Sequence, residues 1–102
     1  MDRVAVLKQL VEKNPANSFA RYGLAMEYGK SGKFEEALAQ YRAITAATPD
    51  YHAAYFQGGR LLEQLGRVEE AKQFYRQGIE VTTRLGEGHA REELQAALDQ
   101  LS

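Results

Sequence analysis

Apolar residues recur along this chain at helical spacing, and the pattern is broken at regular intervals by glycine or proline. Between residues 2 and 13, Val4, Leu7, Leu10 and Val11 make one apolar face, with Asp2 as the N-cap and Asn14-Pro15 ending the helix. A second helix is predicted from Asn17 to Lys30, with Ala20, Leu24, Ala25 and Tyr28 on one side and Gly32 as a left-handed cap after its end. A third, Phe34 to Thr48, aligns Phe34, Ala37, Leu38, Tyr41 and Ile44 and is closed by Pro49. The scheme then repeats over Tyr51 to Leu65, with Gly66 at the turn, and over Val68 to Arg84, with Val68, Ala71, Phe74, Tyr75 and Ile79 inward. After Gly86 and Gly88 a last helix, His89 to Leu101, carries an apolar stripe of Leu94, Ala97, Leu98 and Leu101. Arg91, Glu92, Gln95 and Asp99 keep its other face wet, as suits the end of a stack.

The repetition is one of sequence as well as of pattern. Sliding the chain by 34 residues sets Gly32 on Gly66, Glu35-Glu36 on Glu69-Glu70, Ala37 on Ala71, Tyr41 on Tyr75 and Arg42 on Arg76. Pro49 falls on Pro15 in the other direction, and Leu7 on Tyr41 and Tyr75, so the first helix reads as the second half of a unit. A period of this length signals stacked helical hairpins, none of which buries its apolar face alone. The fold class is therefore all-α, an antiparallel helix-hairpin solenoid of about six helices.

These residues resemble the tetratricopeptide repeat, whose pattern is W-x2-L-G-x2-Y, then A-x3-F, then P. The first unit reads Arg21-x2-Leu24-Ala25-x2-Tyr28, then Ala37-x3-Tyr41, then Pro49, and departs at Arg21, where a large apolar residue is usual. The second reads Tyr55-x2-Gly58-Gly59-x2-Leu62, then Ala71-x3-Tyr75, and departs at Gly58 and at Thr83, where the proline is lost. The likeness, to small two-repeat members of bacterial type, covers the chain as one domain over 1–102. It divides into a half-repeat helix at 1–14, repeats at 18–51 and 52–85, and a capping helix at 88–102. It implies a non-catalytic protein-binding module whose concave surface is built from the first helix of each pair.

The candidate surface is a second apolar stripe, Phe19, Tyr22 and Met26, spaced i, i+3, i+7 and roughly opposite the Leu24 and Tyr28 side. A helix apolar on two faces is buried on both or has a partner waiting. Either the stripe lines a groove, or Phe19 and Tyr22 fold under the first helix as core. The next pair contributes Ala53, Phe56, Gln57, Arg60 and Gln64, and the capping helix His89 and Glu92. Such a groove suits an extended or helical peptide with an apolar anchor and an acidic group. The alternative is a homo-oligomer, a homodimer in the simplest case, that covers the same apolar surface with a second copy. The carboxylate clamp by which some members grip chaperone tails needs Lys and, four residues on, Asn; Tyr22 and Met26 stand there instead.

Composition excludes more than it assigns. In 102 residues, 13 Lys and Arg against 14 Asp and Glu leave a net charge of −1, no bulk field for nucleic acid or an anionic membrane. There is no cysteine, hence no disulfide or thiolate, and no apolar run near the roughly 20 residues that span a bilayer. The N-terminus is not that of a signal peptide, and a cytoplasmic protein is expected. Gly29-Lys30-Ser31 resembles the end of a phosphate loop but lacks the earlier glycine and ends a helix. His89 and Glu93, at i and i+4, make two ligands and no metal site. Glu35-Glu36 and Glu69-Glu70 answer the dipoles of their helices. No catalytic constellation, cofactor or metal is expected. Gly58-Gly59, in mid-helix at about 1 kcal/mol each relative to Ala, marks close packing on the preceding helix or a hinge.

Overall fold

The computed structural model describes residues 2–101. It contains α1 (Arg3–Lys13), α2 (Ser18–Lys30), α3 (Phe34–Ala47), α4 (Ala53–Gln64), α5 (Val68–Leu85) and α6 (Gly88–Gln100), with no strand among the described residues. Each helix packs chiefly on its neighbours in sequence, so α2–α3 and α4–α5 are hairpins joined through the α3–α4 contact.

Local chemistry sets where each helix starts and stops. The Asp2 carboxylate accepts from the Val4 N–H, and the Asn17 side chain accepts from the Ala20 N–H at 3.0 Å. The turns after α2, α4 and α5 pass through Gly32, Gly66 and Gly86, all near φ +75, a conformation that costs other residues a Cβ clash. α3 stops at Ala47, just before Thr48-Pro49. The matching place in the second unit holds Thr83, so α5 continues to Leu85 and reaches 18 residues.

The core runs the length of the stack. Leu24, Ala25 and Tyr28 meet Ala37, Leu38, Tyr41 and Ile44 in the first hairpin; Tyr55, Leu61 and Leu62 meet Ala71, Phe74 and Tyr75 in the second. Gly58 and Gly59 are where the second hairpin closes most tightly. A Cβ on Gly58 would lie 2.3 Å from Phe74 Cε2, and one on Gly59 the same distance from Tyr75 Cε1. Close packing thus accounts for both glycines, but the rings they admit come from the following helix, while Tyr41 Cβ of the preceding one lies 3.4 Å from the Gly58 site.

Some inward assignments need correcting. Val68, the first residue of α5, is 39% exposed at the turn, and Ile79 is only partly buried; Gly78, Val81 and Thr82 are enclosed instead. Val81 matches the last residue of α3, and Thr82 opens the extra turn by which α5 outruns it; Thr82 satisfies its buried hydroxyl by donating to the Gly78 carbonyl at 2.8 Å. On α1, Val4, Leu7 and Val11 are half-buried against the core, whereas Leu10 is exposed. Arg21, at the position where the repeat pattern has a large apolar residue, works as a polar strut. Its guanidinium donates to the Pro15 carbonyl at 2.8 Å and to Gln40 at 2.9 Å, tying the α1–α2 turn to α3.

Candidate functional site

The first helices of the hairpins, α2 and α4, make no extensive contact with each other, because each leans on α3. A furrow of about 400 Å³ lies between them, floored by Ala25, Ala37 and Tyr41 and walled by Met26 and Lys30 on α2 and by Gln57, Arg60 and Gln64 on α4. A smaller depression of about 140 Å³ continues towards α6, lined by Tyr22, His52, Phe56, Gln57, Ala90 and Glu93 among others. Gln57 belongs to both and forms the ridge between them.

The side chains in this surface are held in place by one another. Tyr22 is half-buried, its ring 6.1 Å from that of Tyr41 in an edge-on arrangement and 5.5 Å from that of Tyr51. It therefore packs on α3 and the turn before α4, and not beneath α1. Burial raises the Tyr22 hydroxyl above the ordinary tyrosine range, aided by Tyr51 and opposed by a hydrogen bond with Gln57. The Tyr41 hydroxyl donates to Met26 Sδ at 3.1 Å, which fixes the thioether at the furrow wall. Desolvation drives the Tyr41 hydroxyl well above its normal range. On α4, the Arg60 guanidinium sits over the Phe56 ring, 5.9 Å from its centroid, and that ring lies 6.4 Å from Tyr75. The Tyr75 hydroxyl donates to Glu63, anchoring a carboxylate at the far wall.

Of the residues expected from sequence, Met26, Gln57 and Arg60 meet in the larger furrow, and Tyr22, Phe56 and Gln57 in the smaller. Phe19 lies in neither; it is 80% exposed, one helical turn before Tyr22. His89 and Glu92 also line neither depression. Helix α6 presents Ala90 and Glu93 there, each one position beyond the places inferred, a rotation of about 100°, with Leu94 beside them. His89 is exposed and pairs with Glu93 at 3.8 Å. Lys30, Glu63 and His52 line the surface although the sequence pattern assigned none of them to the groove; Lys30 was legible there, since it continues the row from Met26 at i+4. Among the described residues no three His, Cys, Asp or Glu side chains gather as a metal site, and no helix is long and apolar enough to cross a membrane.

A sequence model of the tetratricopeptide repeat matches residues 22–81, spanning both hairpins. The chain belongs to the tetratricopeptide repeat family. A crystal structure of a tetratricopeptide repeat domain protein from Salinibacter ruber is 36% identical, with a TM-score of 0.78 over 83% of this chain and 94% of that one. A solution structure of a tetratricopeptide repeat domain protein from the same organism, also 36% identical, reaches 0.82 over 87% and 90%. A protein from Bordetella parapertussis, 25% identical, reaches 0.82 over 99% of this chain and 88% of that one. No curated protein matches the sequence. Tetratricopeptide repeats point to a protein–protein interaction or scaffold module, and domains of this family are typically non-catalytic.

Proposed function

We propose that this protein docks a segment of another protein in the surface formed by α2, α4 and the start of α6. The observation that carries the reading is the row Phe19, Tyr22, Met26 on α2, facing Phe56 and Arg60 on α4. Four of these side chains are braced by their neighbours, and Phe19 stands 80% exposed to solvent one helical turn before Tyr22. A braced wall loses little side-chain entropy on binding, and an exposed ring contributes the most apolar area when it is covered. Lys30 and Arg60 line the larger furrow together with a single carboxylate, Glu63, so the fitting segment carries a large apolar anchor, set against Phe56, and an acidic group, set towards Lys30 and Arg60 and away from Glu63.

Affinity capture from a native lysate, run beside a Phe19→Ala/Tyr22→Ala double variant and a Phe56→Ala variant, tests this reading. Loss of a groove anchor costs about 1–2 kcal/mol or more, a fall of roughly 5- to 30-fold in captured partner. A Phe19→Ala single variant, whose side chain packs on little, keeps wild-type helicity by circular dichroism and separates lost docking from lost packing at Tyr22 and Phe56. Equal capture by wild type and both variants refutes the groove assignment.

A further inference from the structure

Met26 is the one methionine among the described residues, and its sulfur is held from one side and open on the other. Its side chain is partly exposed at the wall of the larger furrow, so about 400 Å³ of open space leads from solvent to it. The chain has no cysteine, which leaves thioether sulfur as its most readily oxidised group. On the held side the Tyr41 hydroxyl, at the furrow floor, donates to Met26 Sδ at 3.1 Å. Tyr41 is 3% exposed and its ring meets that of Tyr22 edge-on, so this donor stays where it is.

A thioether sulfur carries two lone pairs, and an oxygen added at one or the other gives one of two epimeric sulfoxides. The Tyr41 hydroxyl engages one pair of Met26 Sδ, which leaves the second for a reagent arriving through the furrow. With hydrogen peroxide as that reagent, the free pair attacks a peroxide oxygen, the S–O bond forms and the O–O bond breaks. Sulfur gives up two electrons, and the departing hydroxide takes the proton left on the transferred oxygen and leaves as water. The new oxygen points into the furrow, where Lys30, Gln57 and Arg60 line the same space as hydrogen-bond donors.

We propose that Met26 is a reversible oxidation site in the furrow wall, and that the Tyr41 hydroxyl decides which sulfoxide epimer forms. Tyr41 acts here as a positioning residue: it reaches the peroxide only through the sulfur that it orients. Reversal follows from the chemistry, because each epimer is reduced by its own class of sulfoxide reductase. Oxidation turns a flexible apolar stretch of wall into a polar one, so the wall receives an apolar anchor less well. That last consequence rests on the docking reading of the same surface; the site and its stereochemistry do not.

The test treats the folded full chain with hydrogen peroxide, digests it, and maps the added oxygen by mass spectrometry. The peptides then meet each of the two epimer-specific reductases in turn. Folded wild type gains one oxygen at Met26, and one reductase removes nearly all of it while the other removes little, an epimer excess of about tenfold. Wild type oxidised in urea gives the two epimers in near-equal amounts. Tyr41→Phe, which keeps the ring and drops only the hydroxyl, moves the folded protein towards that equal ratio. Circular dichroism checks the fold of the variant, and folded against unfolded wild type carries the test if it is lost. No oxygen at Met26, equal epimers in folded wild type, or undiminished selectivity in folded Tyr41→Phe overturns the proposal. Affinity capture from a native lysate, after the peroxide is removed, separates the two readings. Peroxide lowers capture by wild type and leaves Met26→Leu at its own untreated level. If the Phe19→Ala/Tyr22→Ala variant loses capture but oxidised wild type does not, the consequence for docking is wrong. If neither loses it, the docking reading falls, and the epimer ratio still decides the site.

Discussion

Replacing Gly59 with Ala sets two opposed effects against each other, and the structure decides between them. Alanine in a helix interior is favoured over glycine by about 1 kcal/mol. Against this, the new methyl carbon would lie 2.3 Å from Tyr75 Cε1 and 2.7 Å from Cδ1 and Cζ, so the ring must retreat by about 1 Å to reach ordinary contact. The ring has little room to do so: Tyr75 is fully enclosed, and its hydroxyl is tied to Glu63. Overpacking of this kind costs about 1–3 kcal/mol, and a ring held at both ends places it towards the upper figure. The net expectation for Gly59→Ala is a loss of about 2 kcal/mol, or roughly 10 °C in Tm for a chain of this size. Gly29→Ala is the control, because a Cβ there meets nothing within 4 Å and only the propensity gain, about 0.5–1 kcal/mol, remains. Thermal and urea unfolding followed by circular dichroism gives both numbers. A Gly59→Ala variant as stable as wild type, or more so, would mean that the ring is not seated on the backbone, and the hinge reading of the two glycines would return.

Alkaline pH should unfold the protein in step with tyrosine ionisation. Burial raises the hydroxyls of Tyr22, Tyr41, Tyr51, Tyr55 and Tyr75 above their ordinary value of 10.0, so the folded state holds these protons more tightly; the stability is full below pH 10 and is lost as pH rises beyond it. Ultraviolet titration and circular dichroism should show these five ionise together with unfolding, and ionisation of two or more tyrosines ahead of unfolding would contradict the packing described. On the convex side Glu70 accepts from Arg67 at 2.8 Å and from Arg42 at 2.7 Å, and these bonds, those of Arg67 foremost, hold its carboxyl below the ordinary 4.5. Its contribution is present above that pH and fades as pH falls through the lowered value, so Glu70→Gln should flatten the acid limb of the stability curve while leaving the groove intact. An unchanged acid limb would show that solvent screens the cluster completely.

The helices and their turns were readable in sequence because each is marked locally, by Asn17 and Asp2 at starts, Pro49 at a stop and Gly32, Gly66 and Gly86 where φ is positive. The apolar row of Phe19, Tyr22 and Met26 was readable for a similar reason, since spacing along one helix fixes which residues share a face. What depended on tertiary contact was not. Nothing in the run around Gly58-Gly59 says that the rings filling them come from α5, which follows, and not from α3. The orientation of α6 depends on how the 18-residue α5 ends at Gly86, and one position of offset exchanges His89 and Glu92 for Ala90 and Glu93 at the groove. Arg21 likewise reads as a lapse in the repeat until its bonds to Pro15 and Gln40 are seen.

The most direct test of the docking surface places a photo-reactive phenylalanine analogue at Phe19, where substitution disturbs little, and the same analogue at the exposed Arg76 on α5. Irradiation in a native lysate, followed by peptide mapping of the adducts, reads out what lies against each position. The account predicts a recurrent adduct at position 19, mapping to one segment with an apolar anchor beside acidic residues, and none of that segment at position 76. Equal labelling at the two positions, or none at position 19, would contradict it.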